Sequence, residues 1–410
     1  MYGLIGEKLG HSYSQRIHHL LGNYPYQLFE IAPEELPRFL QARQFAGLNV
    51  TIPYKQSVIP FCSTLSPAAQ AIGSVNTLLV QADGSLYGDN TDYAGFAYLA
   101  ERTGLCFSGK KTLVLGSGGT SRTVCAVIRA AGGTAIVISR NGPDTYADLA
   151  TKHADAAIVV NTTPVGMYPH NTAQPVDLTL FPALEGVLDV IYNPYRTRLV
   201  QQAAMMGLCH SGGLPMLVAQ AKYAAERFMA RNIPQGRIAE IAAEIRRETS
   251  NVVLVGMPGS GKTTVGRKVA QILHMPFYDI DEEIEAEAGR PIPAIFAQDG
   301  EAAFRQLEAA QIARLSKAGG AVLATGGGAV LDAENRYNLR QNAVVVLLER
   351  NLNRLAMDGR PLSQDAATLR TLWQARAPLY AAVADMRIPN NGSVGACVQA
   401  VCEGIKNAFS

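Results

Sequence analysis

The sequence predicts an α/β protein built on parallel sheets and divided into more than one domain. Three observations carry that prediction. Short β-branched or apolar runs alternate with helical patterns, the signature of βαβ units. Two of those runs open into glycine-rich loops, at Gly116 and Gly256, about 140 residues apart. The length of 410 residues also exceeds the size, about 250–300 residues, at which one hydrophobic core stops growing.

The runs are Leu113–Gly116, Ala135–Ser139, Ala157–Asn161, Val187–Val190, Val252–Gly256, Val322–Thr325 and Val344–Leu348. Ahead of the first glycine loop, about 100 residues read as strand, helix, strand, helix and then Gly47-Leu48-Asn49-Val50-Thr51-Ile52-Pro53, a separate piece suited to holding a substrate. A helical stretch from Leu214 to about Asn232 follows the first nucleotide region and can pack back onto it. Gly236–Ser250 has apolar residues at helical spacing and a polar end, which places the join between halves near residue 249.

Composition narrows the function class. With 48% hydrophobic and 17% charged residues and a net charge of +2, the chain has no field that favours nucleic acid or a membrane surface. The six cysteines are scattered and form neither CxxC nor a zinc-type cluster, so free thiols in a reducing cytoplasm are expected. The opening MYGLIGEKLGHS lacks the pattern of a signal peptide, and the apolar runs are too short to span a bilayer.

The first loop, Gly116-Ser117-Gly118-Gly119-Thr120-Ser121-Arg122, lies between a strand at Lys110–Leu115 and an apolar helix. Glycines there let the backbone approach a pyrophosphate, and the helix N-terminus supplies N–H donors, as in a Rossmann dinucleotide fold. The next strand ends in Ser139-Arg140-Asn141, where an NAD site would carry an acid. An Arg pairs with a 2′-phosphate through charge-assisted bonds, so NADP(H) is favoured over NAD.

The second loop, Gly256-Met257-Pro258-Gly259-Ser260-Gly261-Lys262-Thr263, is a complete GxxxxGK[ST] between strand and helix. Its amides cradle phosphates, Lys262 reaches the terminal phosphates, and the Thr263 hydroxyl suits Mg2+, so ATP and Mg2+ are the expected cofactors. A strand over Pro276–Ile280 is expected to put Asp279 and Asp281 on one side of an extended chain, aimed into a common cleft. Gly300-Glu301-Ala302-Ala303-Phe304-Arg305-Gln306-Leu307-Glu308, Thr325-Gly326-Gly327-Gly328, Arg360-Pro361-Leu362 and Arg376-Ala377-Pro378-Leu379-Tyr380 follow in order.

Two resemblances emerge from the ordered segments. His11-Ser12-Tyr13-Ser14, Asn49-Val50-Thr51-Ile52-Pro53-Tyr54-Lys55, Gly73-Ser74-Val75-Asn76-Thr77, Gly88-Asp89-Asn90-Thr91-Asp92, Asn161-Thr162-Thr163-Pro164-Val165-Gly166-Met167, Asp189-Val190-Ile191-Tyr192-Asn193-Pro194 and Gly213-Leu214-Pro215 make residues 1–248 resemble the shikimate dehydrogenase family. Residues 250–410 resemble the shikimate kinase family through the segments of the second half.

The first resemblance implies a substrate domain at 1–102, a Rossmann domain with returning helices at 103–235 and a helical linker at 236–249. It implies Lys55 and Asp92 as catalytic residues, Ser12, Ser14, Asn49, Thr51, Asn76, Tyr192 and Gln220 at the substrate, and Gly116, Gly118, Gly119, Thr120, Arg140 and Gly213 at NADP(H). Ketone reduction leaves an alkoxide that needs a proton, and a Lys ammonium oriented by a carboxylate can supply it.

The second resemblance implies a P-loop kinase domain at 250–410. Asp281, Lys262 and Arg360 would act in phosphoryl transfer; Asp281, Arg305, Gly327, Gly328 and Arg376 would hold the substrate, with Gly326 behind its ring. Gly256, Gly259, Ser260, Gly261, Lys262, Thr263, Thr264 and Arg360 would hold ATP, and Thr263 and Asp279 the Mg2+. The expected partners are 3-dehydroshikimate and shikimate, with no nucleic acid and no membrane. A quinate-reducing first half and a non-catalytic module remain open alternatives.

Overall fold

In the computed structural model, residues 1–10, 12–355 and 366–409 are described. His11 and Arg360, both singled out above, lie outside the described residues. The chain divides into two compact units, Met1–Ala242 and Ala243–Ser410, with the division inside the helix Gly236–Thr249.

The first unit holds two sheets. In the first, β1 (Tyr2–Gly6), β2 (Tyr26–Glu30), β3 (Gly47–Val50), β4 (Thr64–Leu65), β5 (Thr77–Val80) and β6 (Leu86–Asp89) run in the order β2-β1-β3-β5-β6-β4. The β1, β2 and β3 strands are parallel, while β5 is antiparallel to both β3 and β6. The parallel β1 and β3 end side by side, with Thr51 N–H donating to the Ile5 carbonyl at 3.0 Å. The loops that carry Ser12 and Thr51 therefore leave the sheet at the same edge.

The second sheet contains β7 (Lys111–Leu115), β8 (Thr134–Ile138), β9 (Ile158–Asn161), β10 (Gly186–Asp189) and β11 (Cys209–Ser211) in the order β11-β10-β9-β7-β8, all pairings parallel. Alternate residues fill two cores. Val114, Ile158, Val160 and Leu188 face one layer of helices, and Leu113, Leu115, Val159 and Val187 face the other. Burial on both faces is why these strands read as continuous apolar runs rather than as alternation.

The second unit is built on β12 (Asn251–Val255), β13 (Phe277–Asp279), β14 (Val322–Ala324), β15 (Ala343–Glu349) and β16 (Met386–Pro389), again parallel, in the order β13-β14-β12-β15-β16. Val253, Val255, Leu323, Val345 and Leu347 enter one core, and Val252, Leu254, Val322, Val344 and Val346 the other. Among the described residues no helix is long and apolar enough to cross a membrane.

One expectation changes. Asp279 is the last residue of β13 and caps the helix Ile280–Ala288, its carboxylate accepting from Asp281 N–H at 3.0 Å. Asp281 thus sits in the first helical turn, not on an extended strand. The short side chain of Asp279 satisfies a free helix N–H and ends the strand one residue before the expected Ile280.

The helix Leu214–Met229 begins where the backbone is tightest. Gly213 donates its N–H to the Ile191 carbonyl at 2.8 Å, and a Cβ placed on it would lie 2.1 Å from the Val190 carbonyl oxygen. That neighbour is backbone and cannot swing away. Gly213→Ala should destabilise the first unit by about 1–3 kcal/mol, the usual cost of forcing atoms into a packed site. Unfolding followed by circular dichroism should acquire an earlier phase. Fluorescence of Trp373, the single Trp and a residue of the second unit, should keep its midpoint. An unchanged circular dichroism profile would show that the junction yields instead.

Candidate functional sites

In the first unit, backbone pairing brings the acid to the base. Val75 N–H donates to the Lys55 carbonyl at 2.8 Å. The same loop is tied to the start of the helix Thr91–Thr103: Asn90 donates to the Ser74 carbonyl at 2.8 Å, and Thr91 N–H to the Asn76 side-chain oxygen at 2.7 Å. The three segments hold Lys55 Nζ 2.6 Å from the Asp92 carboxylate, with side-chain exposures of 18% and 10%. The pair is partly shielded from water yet open enough to meet a ligand.

The amides beside this pair have fixed orientations. The Asn76 oxygen accepts from Thr91 N–H and also contacts the Thr77 and Thr91 hydroxyls, so its NH2 group must face Gln220, whose oxygen lies 3.5 Å away. Asn49 is held by the Tyr26 hydroxyl, which donates to its oxygen at 2.7 Å. Ser14 opens the helix Ser14–Gly22 and donates its N–H to the Ser12 hydroxyl at 3.2 Å. The ring of Tyr192 packs 5.4 Å from that of Tyr13, next to both serines in sequence.

The glycine loop after β7 turns at Gly116 with φ +104°, a conformation that favours glycine. Thr162, just past β9, donates its hydroxyl to the Leu115 carbonyl at 2.6 Å, so the loops leaving β7 and β9 face each other. Gly118 precedes the helix Gly119–Ala130, whose first turn contains Thr120. Arg140 is exposed two residues beyond β8, the other neighbour of β7. Gly213, at the start of the returning helix, packs against Val190, the residue that follows β10.

In the second unit a cleft of ≈ 380 Å³ is lined by Pro258, Gly259, Gly261, Lys262, Thr263 and Thr264, and across from them by Asp279, Asp281, Arg305, Glu308, Gly326, Gly327, Gly328 and Arg376. Gly256 and Ser260 are not among its walls: Gly256 turns under the loop at φ +146°, and the Ser260 side chain is buried beneath it. Lys262 folds back and donates to the Gly256 and Met257 carbonyls at 2.9 and 3.0 Å. The Thr263 hydroxyl donates to Asp279 at 2.6 Å.

Three acids and several cations share this space. Arg305 pairs with Glu308 at 2.8 Å and Glu301 at 3.0 Å, and Arg376 donates to the Gly327 carbonyl at 3.0 Å. Burial, then the neighbouring Asp279 and Glu308 carboxylates, push the Asp281 carboxyl up to about 6, against a pull from Lys262. Burial also raises Glu308, with Arg305 opposing. One oxygen of Asp281 and one of Glu308 are buried without a hydrogen-bond partner, 3.0 and 2.7 Å from the point where a Gly326 side chain would begin. Buried oxygens of this kind call for donors, and a hydroxylated ligand supplies them.

The donor set also fits a nucleotide with its metal. Among the described residues no three His, Cys, Asp or Glu side chains converge as a metal site. Mg2+ needs no such cage, since it is held by one or two protein oxygens, phosphates and water. The touching Thr263 hydroxyl and Asp279 carboxylate provide those protein oxygens.

Glu308 and Arg350 escaped the sequence reading. Glu308 stands one helical turn from Arg305, a spacing at which an acid and an Arg meet. Arg350 follows β15 at the carboxyl edge of the sheet, where ligand loops gather.

Comparison with known proteins assigns both units. Residues 4–78 match the family model of the shikimate dehydrogenase substrate binding domain, and residues 258–406 that of shikimate kinase. A shikimate dehydrogenase (NADP(+)) of Clostridium beijerinckii is 36% identical over 246 residues, spanning 55% of this chain and 90% of that protein. Shikimate 5-dehydrogenase from Thermus thermophilus, solved in complex with NADP(H) and shikimate, superposes with a TM-score of 0.54 at 31% identity, over 59% of this chain and 98% of that one. Quinate dehydrogenase from Corynebacterium glutamicum, in complex with NAD, gives 0.54 at 26% identity over 58% and 96%. The chain belongs to the shikimate dehydrogenase family through its first unit and carries a shikimate kinase domain in its second, which makes it a bifunctional enzyme of the shikimate pathway.

Proposed function

We propose that the first unit reduces 3-dehydroshikimate to shikimate with NADPH, and that the second phosphorylates the shikimate 3-hydroxyl with MgATP, in the cytoplasm. The observation that carries this reading is that each unit gathers a complete reacting set: Lys55 against Asp92 in one, and Lys262, Thr263, Asp279, Asp281, Arg305 and Arg376 around one cleft in the other. The product of the first reaction is the substrate of the second. We place the functional join at 249/250, with 1–102, 103–235 and 236–249 as substrate domain, cofactor domain and helical linker.

In the redox half, the bound cofactor supplies the hydride. Lys55 donates a proton to the oxygen that was the ketone, and Asp92 holds the ammonium toward it. Ser12 and Ser14 offer hydroxyls to the substrate carboxylate. Asn49, Thr51, Asn76, Tyr192 and Gln220 line the ring, Asn76 as a donor because its oxygen is already taken. Gly116, Gly118, Gly119 and Thr120 approach the pyrophosphate, and Arg140 the 2′-phosphate.

In the kinase half, MgATP supplies the phosphoryl group. Asp281 receives the proton of the attacking hydroxyl, Lys262 leaves its loop carbonyls to meet phosphate, and Arg305 and Arg376 grip the substrate carboxylate, with Gly326, Gly327 and Gly328 backing the ring. Positioning and charge neutralisation provide most of such catalysis. Arg360 is proposed, from its motif alone, to neutralise charge on the transferred group.

The primary test incubates the full chain with 3-dehydroshikimate, NADPH and MgATP, following NADPH oxidation and product mass, with 3-dehydroquinate as a parallel substrate. Shikimate 3-phosphate should accumulate; oxidation with 3-dehydroquinate alone would redirect the first half to quinate. Lys55→Met should cut ketone reduction by about 10²–10⁴-fold, the usual worth of a general acid, while kinase turnover persists. Lys262→Ala should do the reverse. Loss of both activities in either variant would contradict the division of labour.

Arg140→Ala should weaken NADPH by about 1.5–3 kcal/mol, the worth of a charged hydrogen bond, and leave NADH nearly unchanged. An unaltered NADPH:NADH preference in the apparent KM values would remove Arg140 from the cofactor site.

The Asp281 carboxyl, lifted to about 6, keeps its proton to higher pH than an ordinary Asp at 3.8. It can accept a proton only when ionised, so kinase kcat/KM should fall as pH drops through about 6. A plateau extending down to about pH 4.5 would assign the base elsewhere, because the limb reports the pKa of the essential group.

A further inference from the structure

The chain running out of β15 places a charge that the scheme above does not use. Arg350 lines the cleft beside the phosphate loop. Its backbone is held from both sides: Asn390 N–H donates to the Glu349 carbonyl at 2.7 Å, and Asn351 N–H to the Asn391 side chain at 2.8 Å. Asn390 in turn donates its amide to the Ser260 carbonyl at 2.7 Å, which ties the phosphate loop to the same strand ends. The guanidinium therefore sits at a defined place, with Nη1 3.9 Å from the position a Gly261 Cβ would take.

That guanidinium is poorly satisfied. Its one hydrogen bond among the described residues runs from Nη1 to the Gly259 carbonyl at 3.5 Å, the outer limit of such a contact, and Nε is buried with no partner. Arg305, by contrast, is paired with two carboxylates. Among the described residues no carboxylate pairs with it, and a half-buried cation left so is costly unless something anionic arrives. Its planar fork matches phosphate oxygens in a way a point charge does not. It stands beside Gly259 and Gly261, whose positive φ angles of +79° and +94° turn the loop around the phosphate position.

We propose that Arg350 is a nucleotide ligand: it binds a phosphate oxygen common to ADP and ATP, exchanging its long contact with the Gly259 carbonyl for a charge-assisted one. This deepens the kinase reading by naming a second cation for the phosphate chain besides Lys262. It also explains why the cleft carries a cation on the β15 side, away from the Gly326–Gly328 wall assigned to shikimate.

The test titrates MgADP into the full-length protein by calorimetry, comparing wild type with R350Q and R350K, alongside thermal unfolding read by Trp373. R350Q should bind MgADP about tenfold more weakly, within the range for a lost charged hydrogen bond, with an unchanged unfolding midpoint and an unchanged KM for shikimate. R350K keeps the charge and should recover part of the affinity. Binding by R350Q within about twofold of wild type would overturn the proposal. So would a weaker MgADP affinity that comes with a lowered midpoint and no recovery in R350K, because Arg350 would then merely brace Gly259. The titration contains no shikimate, so failure of the shikimate assignment leaves its result readable.

Discussion

A parallel sheet whose first strand is flanked on both sides by later strands has one place where the outgoing loops diverge, and both nucleotide sites depend on it. The β7 strand lies between β9 and β8, and β12 between β14 and β15. At each of those strand ends a loop must turn sharply into a helix while leaving backbone N–H groups uncovered. Gly116 and Gly256 stand at these two positions, with φ values of +104° and +146°. The residues proposed for the two sites follow from the same geometry. Arg140 lies beyond β8, Asp279 ends β13, Gly326 follows β14 and Arg350 follows β15, all at carboxyl ends of strands in register with the first.

The two active centres handle buried charge differently. In the first unit a single ion pair faces the ligand, and neutral amides locked by Thr77, Thr91 and Tyr26 surround it. Donor and acceptor roles are set before any substrate arrives, so binding spends little on reorientation. In the second unit Asp281 and Glu308 crowd together, each with an oxygen lacking a partner. Burial, and after it the Asp279 and Glu308 carboxylates, raise Asp281, and nearby cations or hydroxyl donors would act against that rise. Lys262 is held on the Gly256 and Met257 carbonyls. The first cluster has its side chains fixed by their neighbours, whereas the second leaves polar atoms unsatisfied.

Legibility in the sequence followed the length scale of the signal. Strands buried on both faces announced themselves as apolar runs, and the two glycine loops marked where the first strands end. The Lys55–Asp92 and Thr263–Asp279 pairs could be named because their segments are short and ordered, though sequence alone cannot show that 37 and 16 residues of separation close to 2.6 Å. What stayed hidden depends on local competition or on tertiary placement. Asp281 is expected on an extended chain, yet it lies in a helical turn, because the capping bond that Asp279 accepts from its N–H is decided by a single side chain. The closeness of Gly213 to the Val190 backbone is visible only after the helix has docked. Glu308 and Arg350 are ordinary charged residues in sequence. Their significance comes from the pairing of Glu308 with Arg305 in one case and from a buried Nε without a hydrogen-bond partner in the other.

Carrying both sets in one chain has a limited physical consequence. Each unit has its own cores, on β7–β11 in the first and on β12–β16 in the second. Every residue assigned to reduction lies before Ala243 and every residue assigned to phosphorylation after it. A tether raises the local concentration of one site near another to the order of millimolar for short flexible linkers. That gain matters for partners that must bind each other. It matters much less for a small, polar, stable intermediate, which diffuses away from a site far faster than an enzyme of ordinary turnover consumes it. A tether therefore has little hold on the path of such an intermediate, and what a single chain fixes is that the two units are made in equal number.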